Sequence, residues 1–325
     1  MPTPQTQGES DAAGVRAAGR PQGSLDGRAV LVLIIGVASV STAAVLIRLI
    51  DAPPLVIAAY RLVIASAIVV PSAVLLTHRD LESMTRHDVL RAMAAGLFLA
   101  LHFALWITSL AHTSVASSVV LVTTTPLWVS LAAPFALHER VQRSMYAGVA
   151  VAFVGVFVIA RGDVTVGGHA LFGDLLALGG ALAAAAYFLI GRGVRHRVPL
   201  LPYVAVSYGT AAIALLAAAV LTRAPMSISD STTWTYLVLL AVVPQIVGHS
   251  SFNWALARLS APFVAATVLG ESVGSTLLAW MVLGEVPPTT TVMGGALILA
   301  GLFVAARAEA RREPEHPTVH WISPV

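Results

Sequence analysis

The sequence predicts an all-α integral membrane protein: ten transmembrane helices in two five-helix repeats of inverted topology. Three observations carry this. The 325-residue chain is 57% hydrophobic and 11% charged, with a mean hydropathy of +0.84, whereas soluble domains carry about 25% charged residues. Its apolar residues fall into ten runs of bilayer length. Its arginines lie almost wholly on one side of the topology those runs define.

Residues 1–27 are polar, rich in Gly, Pro, Gln and Ala, and lack the apolar run of a signal peptide. They read as a disordered cytoplasmic tail. The first run, 29–50, stops at the breaker Ala52-Pro53-Pro54. The second, 53–76, carries Tyr60 and Arg61, and the third, 90–111, carries His102 and Trp106. The fourth, 114–136, contains Thr123-Thr124-Thr125-Pro126. A proline frees a backbone carbonyl that nearby threonines can satisfy, so Pro126 is expected to kink the helix and is a candidate gating residue. The fifth, 145–161, sets Gly148 and Gly155 on one face, where small residues allow close helix contact. The sixth, 170–191, carries Tyr187, and the seventh is 201–222. In the eighth, 234–256, His249 and Asn253 are four apart and share a face. The ninth, 261–283, holds Glu271 and precedes Val286-Pro287-Pro288. The tenth, 290–307, repeats the glycine pair as Gly294 and Gly301, and 308–325 form a second cytoplasmic tail. Backbone groups in lipid must be satisfied within each segment, so these runs are helices, and the alternating polarity of a barrel is absent.

All 19 basic residues are arginine. Fifteen fall on the side of the termini and loops 2–3, 4–5, 6–7 and 8–9; Arg48, Arg161 and Arg223 fall on the other, and Arg61 lies inside a span. That bias places both termini in the cytoplasm of a multi-pass plasma or inner membrane protein. The chain has no cysteine, which excludes disulfides and thiol chemistry. It has no nucleotide-binding G-x-x-x-x-G-K-[ST], and neither H-E-x-x-H nor G-x-S-x-G. No cofactor, metal site or nucleic-acid partner is expected.

Shifted by 146 residues, the chain partly matches itself. Gly27 falls on Gly173, Pro53 on Pro199, Ser114 on Ser260 and Glu139 on Glu285. Gly148, Gly155 and Arg161 fall on Gly294, Gly301 and Arg307. Residues 28–161 and 170–307 are thus two repeats. Five helices is an odd number, so the second copy enters the membrane in the opposite sense. Transporters use this architecture to expose one midplane site to each side in turn.

Glu271 lies about 15 Å into its span and Arg61 about 12 Å from the opposite face. Ionisable groups at midplane point to a cavity or a partner. Glu271 is a candidate for a cationic or amino group or for a coupling proton; equally, Arg61 and Glu271 could form a structural ion pair. His102 with Trp106 and His249 with Asn253 present similar faces, since His249 lies 147 residues after His102. The candidate substrate-binding set is Glu271, His249, Asn253, Arg61, His102, Trp106, Tyr60 and Tyr187. Each histidine could instead be bonded to a neighbouring helix carbonyl, and each tyrosine could be packing. Glu139 and Glu285 are expected as caps or surface ion pairs.

These residues resemble the EamA family of the drug/metabolite transporter superfamily. The resemblance rests on Pro53-Pro54 with Tyr60-Arg61, Thr113-Ser114-Val115-Ala116 leading to Pro126, and Leu137-His138-Glu139-Arg140. In the second half it rests on Gly173-Asp174, Asn253-Trp254-Ala255-Leu256 and Leu283-Gly284-Glu285. It covers about 28–307. It implies ten helices, cytoplasmic termini, a central cavity and export of amino acids or other small metabolites. The family often has Glu-Pro in its ninth helix; here Ser272 follows Glu271, so the glutamate carries over without the proline that accompanies the kink, and the kink itself stays open. The function expected is a secondary exporter, not an enzyme, with a small-molecule substrate and contact with membrane lipid. A coupling proton and a second copy of the chain in a homodimer are candidate partners. The alternatives are a membrane-embedded enzyme, a channel and a non-transporting scaffold.

Overall fold

The computed structural model describes residues 27–136, 143–166 and 168–310. Among them every regular element is a helix. The two tails, and Glu139 with its neighbours, lie outside the described residues apart from Gly27 and residues 308–310, which extend the first and last helices.

Eight helices are long and apolar enough to cross a membrane: α1 Gly27–Leu49, α2 Pro54–Leu76, α3 Arg86–Ser109, α4 Val115–Ala136, α6 Gly168–Arg195, α7 Leu200–Leu221, α8 Ser231–Leu256 and α9 Ala261–Leu283. Two more, α5 Arg143–Val166 and α10 Thr289–Ala310, carry the shorter apolar stretches Tyr146–Ile159 and Thr289–Gly301. Their starts follow local chemistry. Pro53 and Pro54 open α2, where a missing N–H costs nothing. Thr85 and Asp88 form a capping box on α3. Ser114, Asp230 and Ser260 cap α4, α8 and α9, each accepting the backbone N–H three residues on. Gly284, at φ 68°, ends α9 in the left-handed conformation that glycine adopts without strain. Large apolar side chains such as Leu75, Phe135, Ile213 and Leu221 point outward, as a lipid-facing surface requires.

The helices pair across the two halves of the chain: α5 with α10, α3 with α6, α2 with α7, α1 with α8 and α4 with α9. The α5–α10 contact runs through the predicted glycines. A Cβ on Gly155 would collide with the Gly294 carbonyl, and one on Gly301 with the Gly148 carbonyl. These glycines let two backbones touch.

Several of these helices are interrupted near their middles. In α4 the break falls at Thr123–Thr124, just before Pro126. The Thr125 hydroxyl donates to Val122 O at 2.8 Å, the carbonyl that Pro126 leaves without its N–H. The Thr123 and Thr124 hydroxyls donate to Val119 O and Leu121 O. The break in α9 falls at Val268, although no proline follows Glu271. There Val268 N and Glu271 N donate to carbonyls three residues back, tightening the turn. In α8, residues Ala241–His249 widen into a π-helix around Pro244, the kind of bulge often found at functional sites.

Candidate functional site

The interrupted helices converge on one enclosed cavity of about 30 Å³. Arg61 from α2, His102 and Trp106 from α3, Tyr187 from α6, His249 from α8 and Glu271 from α9 all line it. Six of the eight binding candidates therefore meet, although 210 residues separate Arg61 from Glu271 in the chain. The space would hold a water or two. A larger apolar groove of about 720 Å³ opens outward between α1 and α9, beside Ile34, Leu277 and Met281, with no charged group in its lining.

Arg61 is fully buried. Its Nε donates to Gln245 Oε1 at 2.9 Å, and its guanidinium carbon lies 4.0 Å from the centre of the Phe103 ring. Both Nη1 and Nη2 have no hydrogen-bond partner. Gln245 sits inside the π segment of α8. Sequence reasoning passed over it, yet it lies four residues before His249, so Gln245, His249 and Asn253 form a polar stripe that was legible as a spacing.

Glu271 is 7% exposed. The ion pairs among the described residues are Arg48–Glu285 and Arg197–Asp88, so Arg61 and Glu271 do not pair directly.

His102 has the helix-carbonyl partner considered above: its Nδ1 lies 3.0 Å from Gly180 O. A carbonyl only accepts, so Nδ1 is the donor, which in a neutral ring leaves Nε2 as an acceptor. The ring stacks on Trp106 at 5.9 Å between centroids. His249 Nδ1 and Trp106 Nε1 are buried without partners, and the two imidazoles are 6.4 Å apart.

Three candidates lie elsewhere. Asn253 is fully buried behind the wall and donates to Tyr187 Oη at 2.6 Å. It positions a lining residue and does not itself line the cavity. Tyr60 points away, donating to Met226 O at 2.9 Å with its ring 5.1 Å from Trp234. Pro126 is buried at the start of the second part of α4 and is not in the lining. From that break Val122, Thr123 and Thr125 reach the cavity, and the Thr123 hydroxyl is 2.5 Å from Ser272 Oγ on α9. Glu285 accepts from Val115 N at 2.7 Å and lies 3.6 Å from Arg48, a cap and an ion pair together.

The class defined by this fold and site is a multi-span helical membrane protein with an interior cavity whose largely apolar wall carries Arg61 and Glu271. Residues 27–161 and 171–307 match the EamA-like transporter family, and the chain belongs to that family. It is 27% identical over 227 residues to a probable terminal-alkyne amino-acid exporter of Streptantibioticus cattleyicolor, covering 64% of this chain and 69% of that protein. It is 25% identical over 234 residues to the pseudopaline exporter CntI of Pseudomonas aeruginosa, covering 70% and 78%. A probable amino-acid metabolite efflux pump of Salmonella typhimurium is 28% identical over 185 residues, covering 52% and 60%. A solved crystal structure shares the fold at a TM-score of 0.65 and 22% identity, covering 88% of this chain and 99% of its own.

Proposed function

We propose that this protein is a secondary exporter of small amino-acid-type metabolites that works by alternating access. The observation that carries the reading is the enclosed cavity with Arg61 and Glu271 in its wall, inside a chain whose two halves match one transporter family. In this reading α5 and α10 also cross the membrane, giving ten crossings and two inverted repeats, 28–161 and 170–307. The 146-residue offset supports it. It carries the Gly155–Gly294 contact onto Gly301–Gly148, and the Ser114 cap onto the Ser260 cap. It also carries the break at Thr123 to within a residue of the break at Val268. Rocking at these two breaks, joined by Thr123 and Ser272, would open the cavity to one side and then the other, with Pro126 keeping α4 bent. In this reading both termini lie on the cytoplasmic side of the inner or plasma membrane, which the arginine bias supports. The names of the relatives favour transport over enzymatic, channel or scaffold roles.

The test is counterflow in proteoliposomes with pooled labelled amino acids and related metabolites, wild type beside Glu271→Gln. Saturable flux in the wild type is the expected result; no flux in any pool would sink the reading. Proton coupling through Glu271 is part of the proposal, with Arg61, His102, Tyr187 and His249 as the titratable groups facing it from α2, α3, α6 and α8. Rates should then differ between about pH 6 and pH 8, because a coupled proton is itself a substrate whose supply falls as the pH rises. Equal rates, together with retained activity in Glu271→Gln, would remove the proton from the mechanism.

A further inference from the structure

We infer that the cavity is a zwitterion site. The two unpartnered terminal nitrogens of Arg61 take a carboxylate, and Glu271 takes the ammonium of an α-amino acid with an apolar side chain. This deepens the exporter reading and rests on it for the identity of the cavity as a substrate site.

Four observations lead here. The first is that the fork of Arg61 is held in place but unused. Gln245 occupies Nε and the Phe103 ring supports the guanidinium plane, which leaves the Nη1 and Nη2 edge bare in a fully buried side chain. Buried donors without acceptors are costly, and two parallel N–H groups on a planar fork fit a carboxylate. The protein supplies none, since Glu271 lines the same cavity without pairing directly.

The second is charge balance. Arg61 and Glu271 are the charged side chains in the cavity wall. A lone anion entering would satisfy Arg61 and leave the space net negative, and a lone cation would leave it net positive. In a low-dielectric interior an uncompensated charge is strongly disfavoured. A zwitterion pairs both groups and adds no net charge.

The third is the rest of the wall. Phe188, Phe252, Val122 and Val268 offer apolar surface for a side chain. The fourth is the pair of unpartnered ring nitrogens, Trp106 Nε1 and His249 Nδ1, which are further hydrogen-bonding positions beside the same head group. The closed volume of about 30 Å³ is too small for such a ligand, so binding takes place in a form widened at the α4 and α9 breaks.

The test is equilibrium binding to the full-length protein in nanodiscs, read beside counterflow of the same amino acids. The probes are L-leucine, L-methionine and L-phenylalanine, each with its amide, which lacks the carboxylate, and its deamino acid, which lacks the ammonium. Wild type should bind at least one amino acid ten-fold or more tighter than both its analogues. Arg61→Gln should lose that amino acid at least ten-fold and come to prefer the amide. Glu271→Gln should shift the other way, toward the deamino acid. Opposite shifts in two single variants are not a symptom of misfolding, and if Arg61→Gln does not fold, Glu271→Gln and Arg61→Lys decide. Arg61→Lys keeps the charge without the fork, so it should weaken the amino acid without any switch to the amide. Wild-type preference for an amide or a deamino acid, no binding of any amino acid, or unshifted preference in the variants overturns the inference. Flux with the wrong preference leaves the exporter reading standing, whereas the right preference without flux sinks that reading and leaves the site.

Discussion

Arg61 shows how one side chain is shaped by another far away in sequence. Gln245, 184 positions later, holds Nε and so decides which edge of the guanidinium is free. Gln245→Glu is the informative change. It keeps the acceptor and adds a negative charge beside Arg61, which should occupy the cation now available to a ligand. The expected result is a folded protein whose KM for its substrate rises by about ten-fold or more, equivalent to about 1.4 kcal/mol. Unchanged KM would mean that Arg61 does not touch the substrate. Arg61 and Glu271 were legible in the sequence because ionisable residues at mid-span stand out against apolar neighbours. Gln245 was harder to see, being neutral and next to a proline. Tyr60 misled because an aromatic beside Arg61 looks like part of a site, yet in a helix adjacent residues point about 100° apart. Arg61 turns inward and Tyr60 turns toward Met226 and Trp234.

Among the elements, the helices follow from hydropathy and length, but their interruptions do not all follow from proline. The break in α4 was announced by Pro126 and its threonines: the Thr125 hydroxyl is bonded to the carbonyl that Pro126 frees, and those of Thr123 and Thr124 to carbonyls of the preceding turn. The break in α9, at Val268, has no such marker; one turn further on, Ser272 meets Thr123 of α4. The α5–α10 seam is the converse, written in the glycine spacing and realised as backbone contact. Gly155→Leu should destabilise the protein by about 1–3 kcal/mol, because the added atoms meet Ile298 and the Gly294 backbone and neither can move aside easily. Thermal unfolding in detergent reads this. An unchanged midpoint would mean that the seam is loose.

The whole molecule is organised by the pairing of each helix with one from the other half, so the cavity wall draws on both halves at once. Orientation is the property to test at this scale, and the cysteine-free chain is suited to it without further engineering. Ser83 and Ser227 are exposed in loops at opposite ends of the bundle, between α2 and α3 and between α7 and α8. In intact cells a membrane-impermeant maleimide should label Ser227→Cys, and should label Ser83→Cys only after permeabilisation. The reverse pattern would turn the molecule over and cancel the reading of the arginines.

The sequence by itself determined the membrane class, the place of the eight long apolar helices, the two family repeats and the presence of two ionisable residues within apolar runs. These are local or periodic properties, fixed by how many apolar residues a bilayer needs and by the cost of burying charge. Only the tertiary structure decided which polar groups share a cavity, that Gln245 and Phe103 leave two nitrogens of Arg61 free, and that Asn253 stands behind the wall. Those outcomes depend on the rotation of each helix about its axis, and hence on contacts between residues as far apart as Arg61 and Gln245, and Thr123 and Ser272. Hydropathy is nearly blind to that rotation when every face of a helix is apolar.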